Sequence, residues 1–209
     1  MSQNQIQTVV TAAALAQPAN SYPVQAGGRQ QDAYVSEIHG KYYAGAYGGN
    51  MFTTSVPAAG TLTIPTTLAT LASKFCLVNP PGSGKNLELV RFDYFINSAT
   101  EVVNVIGITK STTAAAALAT LTTGVINNTN LNSGLTSVAI FYTAATHTDT
   151  PVWYKSLIGV NATAVGLFQN SYMFDGTVVI PPGMMIDVVA SAGAQANSLC
   201  DMMWLEWPI

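Results

Sequence analysis

Short runs of alternating apolar and polar residues follow one another from about Leu62 to the C-terminus. In LELVRFDYFIN, apolar residues at positions 90, 92, 94 and 96 alternate with Arg91 and Asp93, as in a strand with one buried face. Similar runs, separated by Gly, Pro, Asn and Ser, predict strands near residues 61–65, 73–79, 86–97, 101–109, 135–144, 152–159, 172–180, 184–191 and 198–206. Because no helical pattern alternates with these runs, we expect an all-β fold.

The strand count and the long connections favour a jelly-roll β-sandwich of about eight strands over the shorter immunoglobulin sandwich. We place this domain at residues 59–209. Residues 1–58 lack sustained periodicity and are interrupted by prolines and glycines, which predicts an extended N-terminal arm. The segment TTAAAALATLTTG at residues 112–124 fits either a short helix or a loop, because alanine favours a helix and threonine opposes it.

The C-terminal run SLCDMMWLEW is apolar on both faces of the strand that it predicts. Cys200, Met202 and Trp204 share one face, whereas Leu205 and Trp207 belong to the other. A sandwich strand needs only one apolar face, so we expect the second face to meet the arm or another subunit.

The Gly-rich run HGKYYAGAYGGNMF carries aromatic rings that cannot build a core by themselves. We expect these rings to dock on the domain of the same chain or on a neighbouring subunit, and the sequence leaves both choices open. The candidate subunit or capsid contacts are Tyr34, Tyr42, Tyr43, Tyr47, Phe52, Leu205 and Trp207.

Charged residues make up only 8% of the 209 residues, against about 25% in typical soluble domains. So little charge predicts a surface that is partly hidden in an assembly. The net charge of −3 and the scattered basic residues argue against a nucleic-acid partner, and nothing favours an anionic membrane. No apolar run reaches the roughly 18 residues of a spanning helix, and MSQNQIQ lacks the positive charge expected of a signal peptide.

The stretch NPPGSGKN resembles a nucleotide-binding loop, in which glycine amides and a lysine surround phosphates. Gly84 and Lys85 fit that motif, but Asn79 replaces its first glycine and Asn86 replaces its metal-binding hydroxyl. The loop should also open a helix, whereas a strand pattern follows here. We therefore interpret Pro80–Gly84 as a turn.

No catalytic residue, cofactor or metal site is predicted. In THTDT, His147 and Asp149 could bind a cation weakly, but we favour a solvated loop. Cys76 and Cys200 are far apart in apolar runs and are expected to be buried free thiols. The carboxylates are isolated along the chain, and a glycosidase pair assembled from them in three dimensions remains open.

Five segments occur in an order that resembles a group of tailed-bacteriophage virion proteins of the jelly-roll type. They are HGKYYAGAYGGNMF, FCLVNPPGSGKNLELVRFDYFI, NTNLNSG, VIPPG and WLEWP, and the resemblance runs from about Ile38 to Ile209. It implies a non-enzymatic capsid cement, or decoration, protein that binds the major capsid protein on the outer surface of the virion as a homotrimer. The protein would be synthesised in the host cytoplasm.

A second hypothesis is a receptor- or carbohydrate-binding head or tail appendage, because jelly rolls also serve as lectins. Exposed aromatic rings can stack on sugars, and the candidates are Trp153, Tyr154, Trp204 and Trp207. Burial in the core is the favoured interpretation of each ring.

Overall fold

The computed structural model describes residues 40–55, 62–66, 68, 71–96, 103–111, 118–160, 168–193 and 195–209. These ranges contain one short helix, α1 (Tyr43–Tyr47), and fourteen strands. The strands are β1 (Met51–Ser55), β2 (Leu62–Ile64), β3 (Ala72–Ser73), β4 (Cys76–Val78), β5 (Lys85–Ile96), β6 (Asn104–Ser111), β7 (Leu118–Thr123), β8 (Val125–Asn128), β9 (Ile140–His147), β10 (Val152–Val160), β11 (Phe168–Met173), β12 (Val179–Ile180), β13 (Met185–Ala190) and β14 (Gln195–Pro208). The described helix is too short to span a membrane.

The strands form two antiparallel sheets. The first sheet has the order β11-β5-β14-β1-β8, with β12 also paired to β5 and β2 to β14. The second sheet has the order β10-β6-β13-β4-β9-β3, with β7 also paired to β9. The predicted all-β sandwich is confirmed.

The main core lies between the two sheets. Trp204 and Phe92 of the first sheet and Leu77 and Ile108 of the second are fully buried in it. Phe75 and Phe92 meet edge to face across the core, with ring centroids 6.4 Å apart. Each strand therefore turns alternate residues inward, and this explains the period of two in β5 and β14.

Eight of the strands pair in a nested order along the chain. The first of them pairs with the last, β1 with β14, and β4 pairs with β13. Inside these, β5 pairs with β11 and β6 with β10. The strands β2, β3, β7, β8, β9 and β12 are additions to this set.

The compact unit begins at Tyr42, which differs from the boundary expected near residue 58. The helix α1 and the strand β1 belong to the sandwich, since β1 lies between β14 and β8 in the first sheet. Glycines flank both elements and hid this short strand from the sequence pattern. Residues 1–39 and 56–58 of the predicted arm lie outside the described residues.

In the described part of the segment at residues 112–124, a strand replaces the helix or loop that the composition predicted. Residues 118–123 form β7 beside β9, and residues 112–117 lie outside the described residues. β-Branched threonines suit a strand, and hydrogen bonds to β9 outweigh the helix propensity of alanine.

The stretch NPPGSGKN forms the predicted turn between β4 and β5. The Ser83 N–H donates to the Pro80 carbonyl at 3.2 Å, and Gly82 has the positive φ of 75° that this turn requires. The buried Asn79 side chain donates to the carbonyls of Lys85 and Ile180, each 2.8 Å away, and so joins this turn to a second one.

Candidate functional site

The tyrosines of the Gly-rich run pack partly on their own domain. The Tyr42 hydroxyl donates to Asp175 Oδ1 at 2.6 Å. Tyr43 and Tyr47 are 38% and 58% exposed, and their rings stack with centroids 5.7 Å apart. Tyr43 and Tyr47 therefore remain candidate contacts, whereas Tyr34 lies outside the described residues.

Two of the candidate contacts are buried inside the chain. Phe52 is 1% exposed and stacks on Trp204 in the core, with centroids 6.2 Å apart. Leu205 is 4% exposed and lies directly beneath Gly45 of α1, where an added Cβ atom would come within 2.2 Å of Leu205 Cδ2. Neither side chain is accessible to a partner in this fold, so both assignments are corrected.

The second apolar face of β14 is covered by the same chain around Leu205. Leu205, Met51 and Val90 form a small cluster against which Tyr42 and Ala46 pack. The sequence predicted that this face would meet either the arm or another subunit. In the structure, the segment before β1 covers this part of β14. Trp207, farther along the strand, is 42% exposed, and its Nε1 donates to Glu88 Oε2 at 2.9 Å.

Exposed apolar residues concentrate where α1 meets the loop between β8 and β9. We call Tyr43, Tyr47, Leu131 and Leu135 the tyrosine–leucine patch. Leu131 and Leu135 are 97% and 52% exposed. The two segments are tied together because the Asn130 side chain donates to the Tyr47 carbonyl at 2.9 Å.

The chain segments that form the tyrosine–leucine patch carry almost no charge. The sequence has no Asp, Glu, Lys or Arg between Lys41 and Lys74, or between Lys110 and Asp149. A groove of about 250 Å³ opens beside the patch and is lined by Gly124, Asn128 and Leu135, among others. An exposed, uncharged apolar surface next to a groove is typical of a protein contact site.

A second feature is buried within the second sheet, on the face away from the main core. Cys76 on β4 and Asp187 on β13 are cross-strand partners, and His147 ends the neighbouring β9. Their sulfur, nitrogen and oxygen atoms all lie within 4.8 Å of one another. We call these three residues the Cys–His–Asp cluster.

Both ring nitrogens of His147 face carboxylates. Nε2 is 3.0 Å from Asp187 Oδ1, and Nδ1 is 3.2 Å from Asp149 Oδ1. Asp149 also accepts a hydrogen bond from the Ser111 hydroxyl, and Asp187 Oδ2 accepts one from Thr109 Oγ1 at 3.4 Å. Each carboxylate is therefore held by a hydroxyl on β6.

The electrostatics of the cluster follow from burial and from these carboxylates. Burial raises the pKa of Cys76 well above its usual value, and the charge and hydrogen bond of Asp187 raise it further. Burial alone would lower the pKa of His147. Hydrogen bonds and charges of Asp187, and then of Asp149, outweigh burial and raise this pKa.

The Cys–His–Asp cluster does not suit nucleophilic chemistry. A cysteine nucleophile needs access to solvent and a pKa lowered by a cationic neighbour. Cys76 is fully buried beside a carboxylate that opposes its ionisation. The arrangement suits a structural polar network or the binding of a cation.

The expected solvated loop is wrong for His147. This residue is 1% exposed, and its backbone N–H donates to the Leu71 carbonyl at 2.9 Å. The expectation for the cysteines is confirmed, since Cys76 and Cys200 are both free and buried. Sequence spacing missed Asp187 as a partner of His147 because the two are forty residues apart. The one available signal was a carboxylate in the middle of the apolar run MIDVVA.

The lysine of the NPPGSGKN turn is engaged by a carboxylate. Lys85 Nζ lies 3.1 Å from Glu206 Oε2, and the Glu206 side chain is fully buried. Glu206 also accepts hydrogen bonds from the Ser137 hydroxyl and from the backbone N–H of Val138. Lys85 thus has a structural partner where a nucleotide-binding loop would present a free ammonium group.

The aromatic residues considered for sugar binding do not form one platform. Trp204 is fully buried, and the ring of Trp153 lies against Gly107, where an added Cβ atom would be 2.4 Å from it. Tyr154 and Trp207 are exposed but lie on strands of different sheets.

No protein-family model, curated protein or solved structure matches the chain.

Proposed function

We propose that the protein is a non-enzymatic virion protein of the jelly-roll type that self-associates and stabilises a phage capsid as a cement protein. The nested strand order supports the jelly-roll assignment. Eight strands that pair first with eighth, second with seventh, third with sixth and fourth with fifth have the connectivity of a jelly roll. The capsid role itself comes from the resemblance of the five sequence segments to phage virion proteins.

The observation that carries the proposal is the exposed tyrosine–leucine patch. Leu131 is almost completely exposed at 97%, and no charged residue of the flanking sequence surrounds it. A monomer gains nothing from an exposed leucine of this kind, whereas a cyclic oligomer or a shell buries the same patch on every copy. The homotrimer implied by the resemblance is one such assembly.

The geometry of the Lys85–Glu206 pair and of the Cys–His–Asp cluster is consistent with a structural role. Lys85 is bound by Glu206, and Cys76 lacks the environment of a nucleophile. Other exposed apolar side chains lie on strands outside this patch, as Val152 on β10 and Val179 on β12 illustrate.

The test uses the full-length chain, because a version starting near Ala59 would lack β1, which lies between β14 and β8. The test variant is Tyr47→Ser/Leu131→Ser, and the matched control is Val152→Ser/Tyr154→Ser, which removes two exposed apolar side chains from β10. Each is added to capsids of the encoding virus from which the protein has been stripped. Light scattering reports the oligomer, and thermal challenge reports the stability of the shell.

We expect wild-type protein and the control to form the same oligomer, to bind capsids and to raise their thermal stability. The Tyr47→Ser/Leu131→Ser variant should dissociate toward a species of 21.9 kDa and bind capsids at least tenfold more weakly. An apolar contact should depend only weakly on salt. A wild-type monomer would refute self-association, and absence of capsid binding by any form would favour the appendage hypothesis.

A further inference from the structure

We propose that Cys76 Sγ, His147 Nε2 and Asp187 Oδ1 bind one zinc ion inside the second sheet. The three residues present a sulfur, a nitrogen and an oxygen atom, which are the three donor types that Zn²⁺ accepts in proteins. The proposal is independent of the capsid role, since it concerns the interior of the sheet and not the tyrosine–leucine patch.

The distances fit a zinc site after small adjustments. Zinc bonds of about 2.0–2.3 Å in a tetrahedron place neighbouring ligand atoms roughly 3.3–3.8 Å apart. His147 Nε2 and Asp187 Oδ1, which are 3.0 Å apart, would separate slightly to admit the ion, and all three donor atoms lie within 4.8 Å of one another. Cys76 and Asp187 are fixed at this spacing because they are paired residues on neighbouring strands.

The surrounding hydrogen bonds are those that orient metal ligands. A zinc-binding histidine usually donates its other ring N–H to a carboxylate, and Asp149 Oδ1 lies 3.2 Å from His147 Nδ1. The ligand carboxylate is in turn oriented by Thr109, whose hydroxyl donates to the second oxygen of Asp187. A hydrogen-bond network that served only to bury His147 would not require the Cys76 thiol beside the Asp187 carboxylate.

The ligand set also suits the charge of the metal. Zinc binds cysteine as the thiolate and histidine as the neutral imidazole, so the two positive charges of Zn²⁺ would be compensated by the Cys76 thiolate and the Asp187 carboxylate. Met185 Sδ is 4.0 Å from Cys76 Sγ and covers one side of the site.

The experiment measures metal in the full-length protein, purified from cells grown with added zinc or cobalt, because the buried site should load as the chain folds. The variants are Cys76→Ser and Asp149→Asn. The control is Cys200→Ser, which removes an equally buried thiol that belongs to no metal-ligating group among the described residues. Plasma mass spectrometry gives zinc per chain, and near-ultraviolet absorption detects thiolate-to-cobalt charge transfer.

We expect about one zinc per chain and a cobalt–thiolate band in the wild type and in Cys200→Ser, and neither in Cys76→Ser. Asp149→Asn should weaken zinc binding about 10–100-fold in competition with a chromophoric chelator. If Cys76→Ser fails to fold, a cobalt–thiolate band that is present in the wild type and persists in Cys200→Ser still identifies Cys76 as the thiolate ligand. Wild-type protein that contains no zinc and shows no cobalt band would overturn the proposal. A cobalt band that survives Cys76→Ser would also overturn it, and so would purified protein in which plasma mass spectrometry finds copper instead of zinc.

Discussion

The backbone N–H of Val138 lies 3.0 Å from Oε1 of Glu206, so a buried carboxylate on β14 holds the segment that leads into β9 of the other sheet. The same carboxylate receives Lys85 from the start of β5. One side chain therefore joins the two sheets at this end of the sandwich.

Replacement of Glu206 by Gln should destabilise the protein by about 2–3 kcal/mol. The variant keeps an acceptor for Val138 but leaves Lys85 without a counter-charge and adds donors that lack partners. The loss is limited because Lys85 is 30% exposed and can reach water. Urea unfolding measures the change. The control Glu88→Gln alters a carboxylate that accepts a hydrogen bond from the exposed Trp207 indole and should shift stability by less than about 0.5 kcal/mol. Equal effects of both variants would contradict the anchoring role of Glu206.

Truncation of Trp204 to Ala should cost about 3–5 kcal/mol, because the ring is fully buried against Phe52 and leaves a large cavity. The melting temperature should fall by about 2–4 °C for each kcal/mol lost. Trp207→Ala is the matched control, since that ring is 42% exposed and its loss should change the melting temperature little. A melting temperature unchanged by Trp204→Ala would show that this face of β14 is exposed to solvent and would favour the hypothesis that its aromatic rings bind sugars.

ATP with Mg²⁺ should neither bind nor be hydrolysed. Lys85 is engaged by Glu206, the strand β5 starts where a phosphate-binding helix would begin, and Asn79 is buried with its amide bound to two carbonyls. Isothermal titration should therefore give no heat of binding, and no phosphate should be released. Micromolar binding that vanishes in Lys85→Ala but survives in Lys110→Ala would contradict this prediction.

The sequence predicted the fold class because the central strands carry a clean period of two. In β5, Phe92 and Tyr94 turn inward, and in β14 Met202 and Trp204 do the same. The short strands β1, β7 and β8 escaped prediction because their stability comes from neighbours far along the chain. Phe52, for example, pairs with Trp204 and Asn128, and the sequence around Phe52 predicts neither partner.

The buried cluster could not be predicted for a related reason. Its members become neighbours only through the register of β4, β9 and β13, and register between distant strands is not encoded in local spacing. His147 and Asp149 were visible as a pair in THTDT, but the carboxylate that completes the cluster, Asp187, is on another strand. Tyr43 and Tyr47, by contrast, are exposed, and their expected role as contacts stays a prediction.

The position of β14 in the middle of the first sheet governs when the protein can fold. The ribosome makes β14 after the other thirteen described strands, yet β1 and β5 both need it as their hydrogen-bonding neighbour. A nascent chain therefore holds two open strand edges until β14 has been made. Such distant pairings also fold slowly, because a long loop must close before any contact forms. The first sheet should thus be completed only after β14 has left the ribosome, and the unfinished sheet is the stage most exposed to aggregation.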